Sequence, residues 1–162
     1  MKPGESTISK PENAPSGWID STRMPGEPAD GVAAAFPAER ALILVVERNP
    51  AVQKLESFLL REAGFRVEFA SNGQEALDRA RTDRPYLLVT EILVPRVDGL
   101  TLCRRLREDP ATREILVVVF SHLDAEDRAI EEGADAFLRK PLDPDRLIET
   151  VRRLLGGRKK AK

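Results

Sequence analysis

From residue 41 onward the chain alternates short apolar runs with longer amphipathic ones. ALILVVE (41–47) is a continuous apolar run, and FRVEFA (65–70) alternates like a strand that is not central. YLLVTEIL (86–93), EILVVVFS (114–121) and DAFLRK (135–140) supply three further strands. Five segments with helical spacing lie between and after them. Asn49-Pro50 opens the first as N-cap and first-turn proline, and Gly64 stops it. Ser71-Asn-Gly-Gln74 fits a capping box for the second. DGLTLCRRLRED forms the third, AEDRAIEEGA the fourth up to Gly133, and Asp143-Pro144 opens the last, DPDRLIETVRRLL. Apolar strands joined through helices predict a parallel sheet covered on both faces, with right-handed crossovers. The fold class is therefore α/β: a single doubly wound, five-stranded parallel sheet in a three-layer sandwich.

Residues 1–39 break this pattern. Six of the twelve prolines fall there and no period persists, so the segment reads as a disordered Pro-rich tail, with Trp18 and Phe36 its only large aromatics. Residues 157–162 read as a short basic tail, leaving 40–156 as the folded domain. The formal net charge of −1 supplies no field that would favour nucleic acid or a membrane surface. The lone Cys103 cannot form an internal disulfide, and no run approaches the roughly 18 apolar residues of a membrane span. A cytoplasmic protein with Cys103 as a small core residue is the expectation.

In open parallel sheets, ligands sit beyond the carboxyl ends of the strands, at the point where strand order reverses. The candidates on that rim are Glu47 and Arg48 after the first strand, Glu91 after the third, Ser121 and His122 after the fourth, and Arg139 and Lys140 after the fifth. With no other histidine and no cysteine near it, His122 cannot seed a zinc site and is expected to face solvent. Pro95 and Asp98-Gly99 read as turn chemistry.

Four of these stretches, ILVVERNP, LLVTEILVPRVDG, VVVFSHLDAEDR and GADAFLRKP, together resemble the receiver domain of bacterial two-component response regulators. The resemblance implies the CheY-like fold, with flavodoxin-type strand order. In that family a pair of acids ends the first strand. An aspartate ending the third accepts a phosphoryl group from a histidine kinase with Mg²⁺ bound, and a Ser or Thr and a Lys bind the phosphoryl oxygens. An aromatic on the fifth strand changes rotamer. By position these roles fall on Glu47 and Arg48, Glu91, Ser121, Lys140 and Phe137.

The departures from that pattern sit at its chemistry. Arg48 replaces the acid that ligates the metal directly, removing an oxygen and adding a positive charge. Mg²⁺ needs near-octahedral oxygen ligands, so binding at Glu47 and Glu91 is expected to be weak. Two unit charges about 4 Å apart near a surface interact by on the order of 4 kcal/mol, and a divalent ion feels more. Glu91 also carries its carboxylate one methylene further than aspartate, and a displacement near 1 Å can cost about 10²-fold. Counting Glu47, Glu91, Arg48 and Lys140 as ionised gives a pocket summing to zero without metal. Arg48 is then expected to pair with Glu91, and Lys140 to reach Glu91 or Glu47.

These residues lead to a non-enzymatic, stand-alone pseudo-receiver that works by protein contact without normal phosphorylation and without a required cofactor. The resemblance implies a histidine kinase or signalling scaffold as partner, meeting the face formed by the fourth helix, fifth strand and fifth helix. That face would carry Arg128, Glu131, Arg139, Arg146 and Glu149. A homodimer stays open, and DNA binding is disfavoured because no DNA-reading segment follows. The alternative is an atypical receiver phosphorylated on Glu91 or a neighbour. A flavodoxin-like cofactor carrier is remote, since VVERNPAV lacks the glycines of a phosphate loop.

Overall fold

The computed structural model describes residues 41–157. The expectations for the two tails, including Trp18 and Phe36, lie outside the described residues. Five strands, β1 (Leu42–Val46), β2 (Arg66–Ala70), β3 (Leu87–Thr90), β4 (Leu116–Ser121) and β5 (Ala136–Arg139), alternate with five helices. The helices are α1 (Pro50–Glu62), α2 (Gly73–Asp83), α3 (Gly99–Glu108), α4 (Glu126–Glu131) and α5 (Pro144–Gly156). All strand pairs are parallel, in the order β2-β1-β3-β4-β5. The chain leaves β1 toward β2 on one side and returns to β3 on the other, which puts the reversal of strand order between β1 and β3.

Successive strand side chains point to opposite faces, and with both faces covered the central strands β1, β3 and β4 are buried almost throughout, whereas the edge strands keep Arg66, Glu68 and Arg139 exposed. Leu44, Val46, Leu88, Val117 and Val119 pack on one face with Ala76, Leu77 and Ala80 of α2, Leu102, Cys103 and Leu106 of α3, and Ala129 of α4. Ile43, Val45, Leu87, Val89, Val118 and Phe120 pack on the other with Leu60 of α1 and Leu147, Val151 and Leu155 of α5. Cys103 is buried, and burial pushes its thiol up to about 12, so it serves packing. Among the described residues no helix is long and apolar enough to cross a membrane.

The caps of α1 and α5 form as their sequences indicate: Asn49 Oδ1 accepts from the Ala51 amide at 3.0 Å and Asp143 Oδ1 from the Arg146 amide at 3.3 Å. The α2 cap differs by one residue. Asn72, not Ser71, is the N-cap, accepting from the Glu75 amide at 2.8 Å, and Glu75 rather than Gln74 reaches back to the Ser71 amide at 3.1 Å. Either Ser or Asn can cap, and here the side chain that reaches back is the acid one position later, Glu75. The third strand is also shorter than its sequence suggests, ending at Thr90, so that Glu91 lies just past it.

Asp98-Gly99 does more than turn the chain. Asp98 Oδ1 caps α3 by accepting from Leu100 and Thr101. Gly99 donates to the Ile92 carbonyl at 2.8 Å, and a Cβ there would stand 2.3 Å from the Glu91 carbonyl oxygen. Helix α3 is thus seated against the backbone that carries Glu91. Gly99→Ala is expected to lower stability by about 1–3 kcal/mol through overpacking against backbone, read as a lower urea midpoint with unchanged slope.

Candidate functional site

Parallel pairing continues one residue past the strands and sets the candidate side chains side by side. Glu91 N donates to the Val46 carbonyl at 3.1 Å, and Lys140 N donates to the Ser121 carbonyl at 3.0 Å. Four of the candidates meet there. Lys140 Nζ lies 2.8 Å from Glu47 Oε2 and 2.8 Å from Glu91 Oε2, bridging the two carboxylates. Ser121 donates its hydroxyl to Glu91 Oε1, which also accepts from the Ile92 amide at 2.7 Å. Glu47 Oε1 accepts from the Asn49 amide at 3.0 Å, tying the cluster to the start of α1. The Lys140 ammonium also stands 5.2 Å from the centroid of the buried Phe120 ring.

Burial is what makes this cluster matter. Glu47 is 3% exposed and Glu91 7% exposed, so neither carboxylate can rely on water to carry its charge. Burial alone would raise the Glu91 carboxyl, but hydrogen bonds from Lys140 and Ser121, the Lys140 charge and the Ile92 amide outweigh it and hold the group below its ordinary value. Burial would likewise lower the Lys140 ammonium, and its hydrogen bonds and attraction to Glu47 and Glu91 hold it above the usual lysine value. Both directions describe one ionised bridge.

Arg48 does not join it. The side chain is exposed, and among the described residues the ion pairs of Glu91 and Glu47 run to Lys140 alone. The expected Arg48–Glu91 pair is therefore corrected. Backbone alternation at the end of β1 turns Glu47 inward and its successor outward, and Lys140 already occupies the Glu91 oxygen that faces Glu47. The charge sum changes as well: two carboxylates against one ammonium leave the buried cluster at −1.

A third acid went unnoticed in the strand-end reading. Glu56, on α1, is 2% exposed. Burial first, then the Glu47 charge, raise its carboxyl, with Lys140 opposing and Glu91 adding, to about 8. Helical spacing was the available signal, because Glu56 lies one turn before Leu60 on the buried face of α1. His122 is exposed beside Ser121. Phe137 is half-buried against the α2–α3–α4 side of the core and lines a groove of about 440 Å³ with Ile130, Arg146 and Glu149.

The donor set does not fit Mg²⁺. Each carboxylate of the bridge already has both oxygens engaged, by Lys140, Ser121 and backbone amides. Among the described residues no three acidic, histidine or cysteine side chains converge to hold a metal.

Residues 43–152 match the family model for the response regulator receiver domain. The polar-differentiation response regulator DivK of Brucella anthropi is 35% identical over 117 residues, covering 70% of this chain and 95% of DivK. The DNA-binding dual master transcriptional regulator RpaA of Synechocystis is 35% identical over 116 residues, covering 70% of this chain; the match spans only 48% of RpaA. Among solved structures, the receiver domain of a signal transduction histidine kinase from Syntrophus aciditrophicus superposes with a TM-score of 0.70 at 35% identity, covering 75% of this chain and 95% of that one.

Proposed function

Because the chain belongs to the response regulator receiver domain family, a module of two-component signal transduction, we propose that it is a pseudo-receiver, holding one state without phosphorylation and acting by protein contact rather than catalysis. The observation that carries this reading is the double engagement of Glu91. Its carboxylate takes the Ser121 hydroxyl on one oxygen and the Lys140 ammonium on the other. In the receiver pattern those are the two groups that bind the phosphoryl oxygens. The extra methylene of glutamate lets the acceptor's own carboxylate fill the place of the group it would otherwise receive.

Two further features support the reading. An attacking carboxylate oxygen must be free to meet the phosphoryl donor in line, and charge on the donor must be neutralised. Here both Glu91 oxygens are held, and Arg48 stands where the metal's direct ligand belongs. The partner is a protein, a histidine kinase or a signalling scaffold, meeting the α4-β5-α5 face. On that face Arg128, Glu131, Arg139, Arg146 and Glu149 are exposed, with Arg146 and Glu149 lining the Phe137 groove, a mixed-charge surface suited to a protein of complementary pattern.

Incubation of the whole chain with acetyl phosphate and Mg²⁺, followed by intact mass measurement, tests this. The expected result is no adduct of about 80 Da, the mass of one added phosphoryl group. An adduct mapping to Glu91 would replace this reading with that of an atypical, phosphorylatable receiver.

A further inference from the structure

Two arginines close the outer edge of the sheet. Among the described residues β2 pairs with β1 alone and so ends the strand order. The Arg66 amide donates to the Ala41 carbonyl and the Ala70 carbonyl accepts from the Glu47 amide, so both residues face β1. Backbone polar groups alternate along a strand, and Val67 and Phe69 therefore turn theirs away from β1. A row of such groups is a template on which another strand can pair.

Both outward carbonyls are already engaged. Arg61, in the last turn of α1, donates Nη2 to the Val67 carbonyl at 3.2 Å, and its guanidinium stands 5.6 Å from the centroid of the Phe69 ring. Arg79, on α2, donates Nη1 to the Phe69 carbonyl. The two helices cover opposite faces of the sheet: Leu60 of α1 packs with Val67 on one, and Ala76, Leu77 and Ala80 of α2 pack with Ala70 on the other. One arginine thus reaches the edge from each helical layer. Arg79 is itself fixed, its Nε donating to Asp83 at 3.0 Å and its Nη2 to Glu68 at 3.3 Å. Partly exposed ion pairs of this kind add little stability. What they do is orient: the guanidinium donors lie in one rigid plane, so holding two nitrogens aims the third at the Phe69 carbonyl.

The strand closed in this way is complementary to itself. In RVEFA the outward residues Val67 and Phe69 flank Glu68. Two copies of β2 laid antiparallel about Glu68 would set Val67 of one opposite Phe69 of the other, each pair exchanging both backbone hydrogen bonds and joining the two sheets into one. The same arrangement sets Glu68 opposite Glu68, where like charges repel. An acid at the centre therefore opposes the pairing together with the two arginines.

We propose that the outward edge of β2 is a strand-addition site for a second copy of this chain, kept shut by Arg61 and Arg79. The inference rests on the edge alone and stands whether or not Glu91 is phosphorylated.

The test is hydrogen exchange of the Val67 and Phe69 amides in the whole chain across about a 100-fold range of protein concentration, with the sedimentation mass followed in parallel. In the parent, protection of the two amides is expected to be independent of concentration. In the double variant Arg61→Met with Arg79→Met it is expected to rise by about 10-fold or more across the range as a dimer forms, and adding Glu68→Thr moves the rise to lower concentration. A parent whose two amides gain protection with concentration overturns the proposal, as does a folded double variant whose amides exchange alike at every concentration, even if it dimerises through another face. If the double variant fails to fold, Arg61→Met and Arg79→Met singly, each opening one carbonyl, decide by the same reading.

Discussion

Replacing Lys140 with methionine is expected to cost about 3–5 kcal/mol of folding stability at pH 7, the loss that follows when one partner of a buried ion pair is removed and the other charge stays behind. Here two charges stay behind. Glu47 and Glu91 lose their common ammonium, and both are almost fully buried. Part of the loss returns on acidification, because the stranded carboxylates can then take up protons. Urea unfolding at pH 7 and pH 5 measures this. Adding Glu91→Gln to Lys140→Met should restore part of the stability, since only one unpaired carboxylate remains. A loss below about 1 kcal/mol in the single variant would mean that the bridge behaves as a surface ion pair, and the description of a buried cluster would fail.

The second large effect concerns pH and Glu56. Its carboxyl is raised from 4.5 to about 8 in the folded chain, so the folded state holds a proton that the unfolded state has lost. Its stabilising contribution is complete below about 4.5 and is lost progressively as pH climbs to about 8, with a slope of at most about 1.4 kcal/mol per pH unit. Glu91 works in the opposite sense: its lowered carboxyl contributes above the ordinary value and loses that contribution as pH falls through the folded one. Lys140, held high, contributes throughout the neutral range and loses its contribution only as pH rises through its own elevated value. Glu56→Gln is therefore expected to gain on its parent steadily between about pH 5 and 8, by a total on the order of 3 kcal/mol or more, and to run parallel to it above. A difference that stays constant across that window would show that Glu56 titrates normally.

Much of this architecture can be read from one chain because strands buried on both faces leave little room for another reading. ILVVE and LVVVFS have no polar face, and only a covered parallel sheet uses such segments. The caps at Asn49 and Asp143 were legible for a local reason, each side chain bonding amides two or three residues on. The α2 cap was not, since Ser71 and Asn72 are both competent and the choice rests on which of Gln74 and Glu75 can reach back. At the site, the strand-end rule gathered Glu47, Glu91, Ser121 and Lys140 correctly in space. It failed for Arg48 because charge summation ignores direction, and adjacent residues at a strand end point to opposite sides. Glu56 escaped because attention to strand ends passes over a helix whose period places an acid in its buried stripe.

Two positions carry the central claim, Arg48 where a metal ligand belongs and Glu91 where the acceptor aspartate belongs. The most direct measurement is Mg²⁺ binding and acetyl phosphate labelling of the parent chain beside the double variant Arg48→Asp with Glu91→Asp. The expected result is no adduct and negligible Mg²⁺ affinity in the parent, with both regained in the double variant as the shorter acid frees Ser121 and Lys140 for a phosphoryl group. A parent that labels at Glu91, or a folded double variant that still neither binds Mg²⁺ nor labels, would contradict it.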